Sequence, residues 1–206
     1  SSPSRGSSSS KGGSSVGFVP TPVTEDISIV KEEIFKDLEN FDWAKEHIMA
    51  LYNKGAVDGT EKNTFSPSNL VTREQFVKMI SALTAFDENS PSSEFSDVAK
   101  GEWYEKYING AKASGLISGR DDGTFGVNST CTRGQSVTFL YRALKGTASG
   151  SANFTDVKSD AFYADAINWA VANNVTNGTS NTTFSPNADC TRAEIVTFLY
   201  RAYQGK

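Results

Sequence analysis

A motif of four residues recurs three times along this 206-residue chain and sets most of what it can fold into. Thr72-Arg73-Glu74-Gln75, Thr132-Arg133-Gly134-Gln135 and Thr191-Arg192-Ala193-Glu194 each lead into an apolar run at helical spacing. Thr followed three residues later by Glu or Gln is a capping box. The hydroxyl takes the third amide of the helix, and the third side chain reaches back to the cap. The box explains the first and fourth residues and leaves the Arg unexplained. A cation in the first turn faces the positive end of the helix dipole, at a disadvantage of roughly 0.3–1 kcal/mol. Three such residues at one register call for a compensating anion. Helix N-termini favour anions, so a ligand anion ranks ahead of a structural salt bridge.

The repetition extends well beyond the motif. Phe35-Lys36-Asp37, Phe95-Ser96-Asp97 and Phe154-Thr155-Asp156 stand 60 and then 59 residues apart. The same offsets relate Trp43, Trp103 and Phe162, then Ile48, Ile108 and Ile167, then Gly59, Gly119 and Gly178, then Phe65, Phe125 and Phe184. A fixed register without gaps marks a repeat architecture. The copies run over 35–86, 95–144 and 154–203 within one domain, 35–206, and polar connectors join them. Each copy begins with a helical stripe such as Trp43, Ala44, Ile48, Leu51 and Tyr52. Gly55, Gly115 and Asn174 follow where a left-handed C-cap is wanted. A loop of about sixteen residues comes next, long enough to suggest function, and then the capped second helix. The expected fold is all-α: three helix–loop–helix units. One unit buries too little to stand alone, so the three should share a core.

Composition narrows the function. A net charge of −4 and an isoelectric point near 5.1 argue against a nucleic-acid protein. No apolar run reaches the ~20 residues of a membrane span, so no membrane insertion is expected. With no signal-peptide pattern, the sequence reads as a mature protein or one cut from a longer one. Two cysteines and one histidine, His47, make neither a disulfide framework nor a zinc cluster. No cofactor and no metal are expected. Residues 1–24 are rich in Ser and Gly and read as a flexible linker to N-terminal cargo. Residues 25–34 form a lead-in, helix or strand.

The ordered motifs of all three copies resemble the S-layer homology family. Its pattern runs Phe-x-Asp-Val, an amphipathic helix, Gly-x-x-x-Gly-Thr-Phe-x-Pro, then Thr-Arg-Ala-Glu opening a second helix. Copy three keeps Phe184-Ser185-Pro186 and the complete Thr-Arg-Ala-Glu. Copy two has Phe125-Gly126-Val127 and lacks the Pro, while copies one and two carry Gln75 and Gln135 for the Glu. The resemblance implies a pseudo-threefold trimer of repeats around a central helix bundle, with grooves between lobes. It further implies a non-catalytic anchor of exported proteins in the bacterial cell wall, outside the cell. The partner it implies is a secondary cell-wall polysaccharide carrying pyruvylated N-acetylmannosamine, with the motif Arg in the receiving groove. Two other classes stay open, a protein-lattice module and a wall-acting enzyme. No pair of carboxylates stands out for the latter.

A pyruvate ketal is a carboxylate, which Arg matches with two parallel charge-assisted bonds. Arg73, Arg133 and Arg192 are therefore the principal candidate ligand residues, expected at exposed first-turn positions where the anion also meets free amides. Asp37, Asp97 and Asp156 could orient them or bind sugar hydroxyls, or simply cap the start of each copy. Gly59, Gly119 and Gly178 admit either close approach of a ligand or a turn. Tyr104 and Tyr163 are candidates for the groove wall, whereas Trp43 and Trp103 are expected in the core. Glu194 joins the ligand set in copy three, which keeps the complete motif, while Gly134 loosens the helix of copy two by ~0.5–1 kcal/mol, so the copies should be unequal, with fewer than three strong sites. Cys131 and Cys190, equivalent to Val71, are expected as buried free thiols held apart by the core. In Arg120-Asp121-Asp122-Gly123 the ligand alternation of a calcium loop is missing, so it reads as a turn.

Overall fold

The structure, a computed structural model, describes residues 34–84, 86–147 and 150–204. The linker expected over 1–24 lies outside the described residues, as does the lead-in apart from Ile34. The described residues hold six α-helices and no β-strand. They are α1 (Asp42–Asn53), α2 (Arg73–Ser81), α3 (Glu105–Ala113), α4 (Arg133–Ala143), α5 (Ala164–Ala172) and α6 (Arg192–Tyr203). The fold is all-α. None of these helices is long and apolar enough to cross a membrane.

Local chemistry accounts for the start of the second helix of each copy and for the end of the first. The capping box forms at Thr72, Thr132 and Thr191, with Gln75, Gln135 and Glu194 reaching back to the cap amide. After α1, α3 and α5, Gly55, Gly115 and Asn174 all have positive φ, 69°, 76° and 54°. The Gly55 amide donates to Tyr52 O and the Ala56 amide to Leu51 O, a Schellman closure that recurs after α3 and α5.

The helices pair between copies. α3 packs on α2, α5 on α4, and α1 returns to α6, while α4 touches both α2 and α6. The first helix of each copy thus covers the second helix of the copy before it, and the last contact joins the two ends of the fold. The buried stripe of α1 is Ala44, Ile48 and Leu51, and Phe76, Phe139, Ile80 and Leu140 fill the interior from the second helices.

Trp43 and Trp103 depart from expectation. They are 51% and 48% exposed, and Phe162 in the same register is 64% exposed. The reason is angular. A step of five residues, from Trp43 to Ile48, turns through about 500° at 100° per residue, so the Trp lies ~140° off the stripe. Ala44, one full turn before Ile48, is the buried member, and Tyr104 and Tyr163 occupy its register half-buried against the core.

Where the three copies meet, the backbone forms a closed ring. The Val71 amide donates to Cys190 O at 3.2 Å, Cys131 to Val71 O at 2.8 Å, and Cys190 to Cys131 O at 3.1 Å. The two cysteines are free and fully buried, as expected, but they are neighbours and not held apart. The Ser136 hydroxyl lies 3.4 Å from one sulfur and 3.7 Å from the other. Their register placed them at equivalent points, and the equivalent points converge on one centre. Burial pushes the Cys131 thiol up to about 11 and that of Cys190 up to about 12. Neither presents a thiolate at neutral pH. Alkylation at pH 8 should leave both unlabelled in the native protein and modify both in urea. Fast labelling without denaturant would contradict this packing.

Candidate functional site

The motif arginines are the residues through which the copies grip one another. Arg73, Arg133 and Arg192 are 4%, 5% and 9% exposed. Arg73 Nε donates to Phe125 O at 2.9 Å, Arg133 Nε to Phe184 O at 3.0 Å, and Arg192 Nε to Phe65 O at 3.0 Å. Each guanidinium therefore crosses to the next copy and lies over the ring of the phenylalanine whose carbonyl it binds, at 4.6–4.9 Å. Arg73 and Arg133 also stand over Phe139 and Phe198, whereas Met79 fills that register beside Arg192. The expectation of exposed first-turn arginines is thus corrected. Carbonyl oxygens and ring faces supply the negative environment that the dipole argument demanded. Burial holds the Arg73 and Arg192 guanidiniums below their ordinary value.

Nor are the first amides of these helices free for an anion. Arg73, Arg133 and Arg192 donate their backbone N–H groups to Ser129 O, Ala188 O and Asn69 O of the neighbouring copy. The next amides of α4 and α6, Gly134 and Ala193, donate to Pro186 O and Pro67 O. In copy two the missing Pro changes the contact, and the Asn128 amide donates to the buried Glu74 carboxylate instead. Gly134 has a packing reason that propensity alone did not expose. A Cβ there would stand 2.9 Å from the Tyr163 ring and 3.0 Å from Pro186 O.

Asp37, Asp97 and Asp156 clamp the long loops. Asp37 accepts the Phe65 and Ser66 amides, Asp97 those of Phe125, Gly126 and Val127, and Asp156 those of Phe184 and Ser185, all at 2.7–3.2 Å. The clamp holds Ser66, Gly126 and Ser185 at positive φ. It fixes the phenylalanine carbonyls that the arginines use, so the Asp acts on the arginine through the loop. Burial raises the Asp97 and Asp156 carboxyls, but their backbone N–H bonds outweigh it and hold both below the usual range. Depressed carboxyls stabilise the fold above their unfolded value of about 3.9 and lose that contribution as pH falls through the folded value. The urea midpoint should therefore decline below about pH 4, less steeply in Asp97→Asn. An unchanged slope in that variant would exclude the clamp as its source.

Gly59, Gly119 and Gly178 meet protein, not open space. A Cβ on them would approach the ring of Phe35, Phe95 or Phe154 within 2.2–2.9 Å, and Gly119 also needs its φ of +80°. The first phenylalanine of each copy packs on the side where a Cβ would stand, while Gly59 and Gly119 also line surface grooves.

Besides a hollow of about 450 Å³ where α4, α5 and α6 end, two open grooves lie between neighbouring copies. One groove, about 460 Å³, runs between the loop of copy one and α3, with Lys78, Met79, Gln75, Trp103 and Tyr107 along it and Arg192 at its base. A second, about 420 Å³, lies between the loop of copy two and Phe162, with Gln135, Thr138, Arg120 and Arg142 on its walls and Arg73 at its base. An aromatic at the same register thus edges each groove, and a buried Arg forms part of each floor. In the matching place over α6, the His47 ring lies 4.6 Å from Tyr200, and its Nδ1 is 3.1 Å from Thr197 Oγ1. Tyr104 and Tyr163 contact Trp103 and Phe162 edge to face and support them from the core side. The arginines come together with these aromatics and with Gly59 and Gly119, which line the same two grooves, whereas Asp37, Asp97 and Asp156 stay behind them. Trp103 and Phe162, at the groove edges, lie outside the candidate set read from the sequence, although their common register and five-residue distance from the stripe were the available signal. Among the described residues, no group of acidic, Cys and His side chains could hold a metal.

The chain matches the S-layer homology domain in three tandem stretches, residues 34–77, 94–135 and 153–196. It is 30% identical over 192 residues to an amylopullulanase of Thermoanaerobacterium thermosulfurigenes, covering 90% of this chain and 10% of the relative. With the exoglucanase XynX of Acetivibrio thermocellus it shares 32% over 180 residues, 82% of this chain and 16% of the relative. With a cellulosome-anchoring protein of the same species it shares 31% over 130 residues, 60% and 29%. The chain thus spans a small part of these longer proteins. Three copies of one pattern, matched in order over most of the chain, make it a member of the S-layer homology domain family.

Proposed function

We propose that this domain is a non-catalytic anchor that holds a longer protein at the bacterial cell surface by binding an anionic cell-wall polysaccharide in the grooves between its lobes. The observation that carries the reading is the groove floor, a buried guanidinium beside an exposed aromatic ring. A sugar presents an apolar face for Trp103 or Phe162, and a pyruvate ketal on it presents a carboxylate for the Arg73 or Arg192 Nη groups. The pyruvylated N-acetylmannosamine type of glycan satisfies both. We read the cycle of contacts between copies as a pseudo-threefold arrangement, which generates equivalent grooves. The relative named for anchoring the cellulosome fits the same role, and the N-terminal side of the chain is where cargo would join.

Co-sedimentation with purified cell-wall sacculi tests the reading. The domain should pellet with intact walls and stay in solution once the secondary polymer has been extracted. Equal pelleting with extracted walls would overturn the glycan reading. Enzymatic or chemical removal of the ketal should act like extraction if the carboxylate is the determinant.

A further inference from the structure

The three motif arginines share their Nε bond and differ at the outer edge, where a groove ligand would arrive. Arg133 has both outer nitrogens engaged. Nη2 donates to Asn177 O at 3.0 Å, and Nη1 lies 3.6 Å from Glu194 Oε1. Arg192 uses Nη2 on Asp58 O at 2.9 Å, and the residue in the place of Glu194 is the neutral Gln75. Arg73, among the described residues, makes its hydrogen bond through Nε only and faces Gln135. Around Arg73, Arg120 and Arg142 in the groove stand against Asp121, with the Asp97 and Glu74 carboxylates also acting on Arg73, both of them already held by backbone amides. Around Arg192, Lys78 stands against Asp58 and Glu88.

We infer that Glu194 is a specificity residue that silences the place over copy three, and that Gln135 and Gln75 keep the other two grooves receptive to an anion, with the Arg73 groove the principal site. This rests on the groove reading above and reverses the order expected from motif completeness. The carboxylate that completes the motif neutralises the arginine next to it. An incoming carboxylate would have to displace Glu194 and leave it beside a like charge, whereas at Gln135 it meets an amide that can donate to it. His47, lying across Tyr200 and Thr197, adds a steric reason in the same place, where copy three offers Ala166 to the Arg73 groove and copy two offers Tyr107 to the Arg192 groove.

The exchange of Glu and Gln is a clean test because both serve the capping box in this chain. Glu194→Gln and Gln135→Glu, in the whole chain, should therefore fold and melt close to the parent. The probes are a methyl glycoside of N-acetylmannosamine carrying a 4,6-pyruvate ketal and the same glycoside without it. Calorimetry gives the number of sites, and the indole N–H signals of Trp43 and Trp103 report on the place over copy three and on the Arg192 groove. Gln135→Glu should weaken the strongest site roughly ten- to a hundredfold, the scale of one charge-assisted contact. Glu194→Gln should shift the Trp43 indole with the ketal sugar, a response the parent lacks. If the parent binds the ketal sugar and neither exchange alters site number or affinity, Glu194 has no such role. If the parent binds neither sugar, the groove reading itself fails and takes this one with it. Tighter binding by Gln135→Glu would also overturn it.

Discussion

A chain ending at Lys145 should lose cooperative unfolding altogether. Such a chain lacks α5 and α6, so α4 loses the helix that covers it and α1 loses its main helix partner. It also loses the Arg192 bridge to Phe65 and Asp58, and the backbone ring at Val71 and Cys131 is broken. What stays paired is α2 with α3 and, through a smaller contact, with α4, an assembly below the size at which one core sustains itself. Urea titration followed by far-ultraviolet dichroism should give a broad, shallow decline where the whole domain gives one sharp transition. A truncated chain that melts as sharply as the parent would mean that each copy is an independent unit.

The second large effect is expected at Arg133. Its replacement by Ala removes two charge-assisted hydrogen bonds, one to the buried Phe184 carbonyl and one to the part-buried Asn177 carbonyl, the ion pair with Glu194 and the packing of the guanidinium between Phe184 and Phe198. Glu194 is about one-third exposed and can return to water, so the main loss is the two carbonyl partners and the cavity. On the order of 3–5 kcal/mol is expected. For a domain of this size that lowers the melting temperature by roughly 6–20 °C. Arg192→Ala should cost less, and Arg73→Ala least, in the order of their bonds to the next copy. Arg133→Lys should recover little, because an ammonium cannot span the Phe184 and Asn177 carbonyls as the planar fork does. Unaltered melting in all three Ala variants would show that the guanidiniums serve the groove alone.

Copy register, helix caps and the Schellman closures at Gly55, Gly115 and Asn174 were legible because they are local, decided by residues within one turn. The dipole argument found the right arginines for an incomplete reason. It identified three cations in want of negative charge, but nothing in linear order reveals that a carbonyl 51 or 52 residues away provides it. The Asp and Gly residues were flagged as possible ligand contacts for the same reason. Their partners, the Phe65 amide for Asp37 and the Phe35 ring for Gly59, lie within one copy but across a whole loop. The tryptophans were misplaced because stripe membership was assigned by nearness and not by angle. The cysteines show the converse: equivalent positions were recognised, but their convergence depends on how the copies close on one another, which register alone does not state.

The pairing of the first helix with the last also gives the domain a temporal order. α1 leaves the ribosome long before α6, and with Arg192 standing 139 positions after Asn53 the wait is roughly 7–30 s at 5–20 residues per second. During that interval Ala44, Ile48 and Leu51 have no native helix to cover them, while α3 can already meet α2, and α5 can later meet α4. Closing the ring is an encounter between the two ends of the domain, the slow kind of contact because the intervening chain must be gathered first. A nascent domain of this design stays open until its final helix has been made. It reaches its native state in one late step, and a chain released early is left with the apolar side of its first helix uncovered.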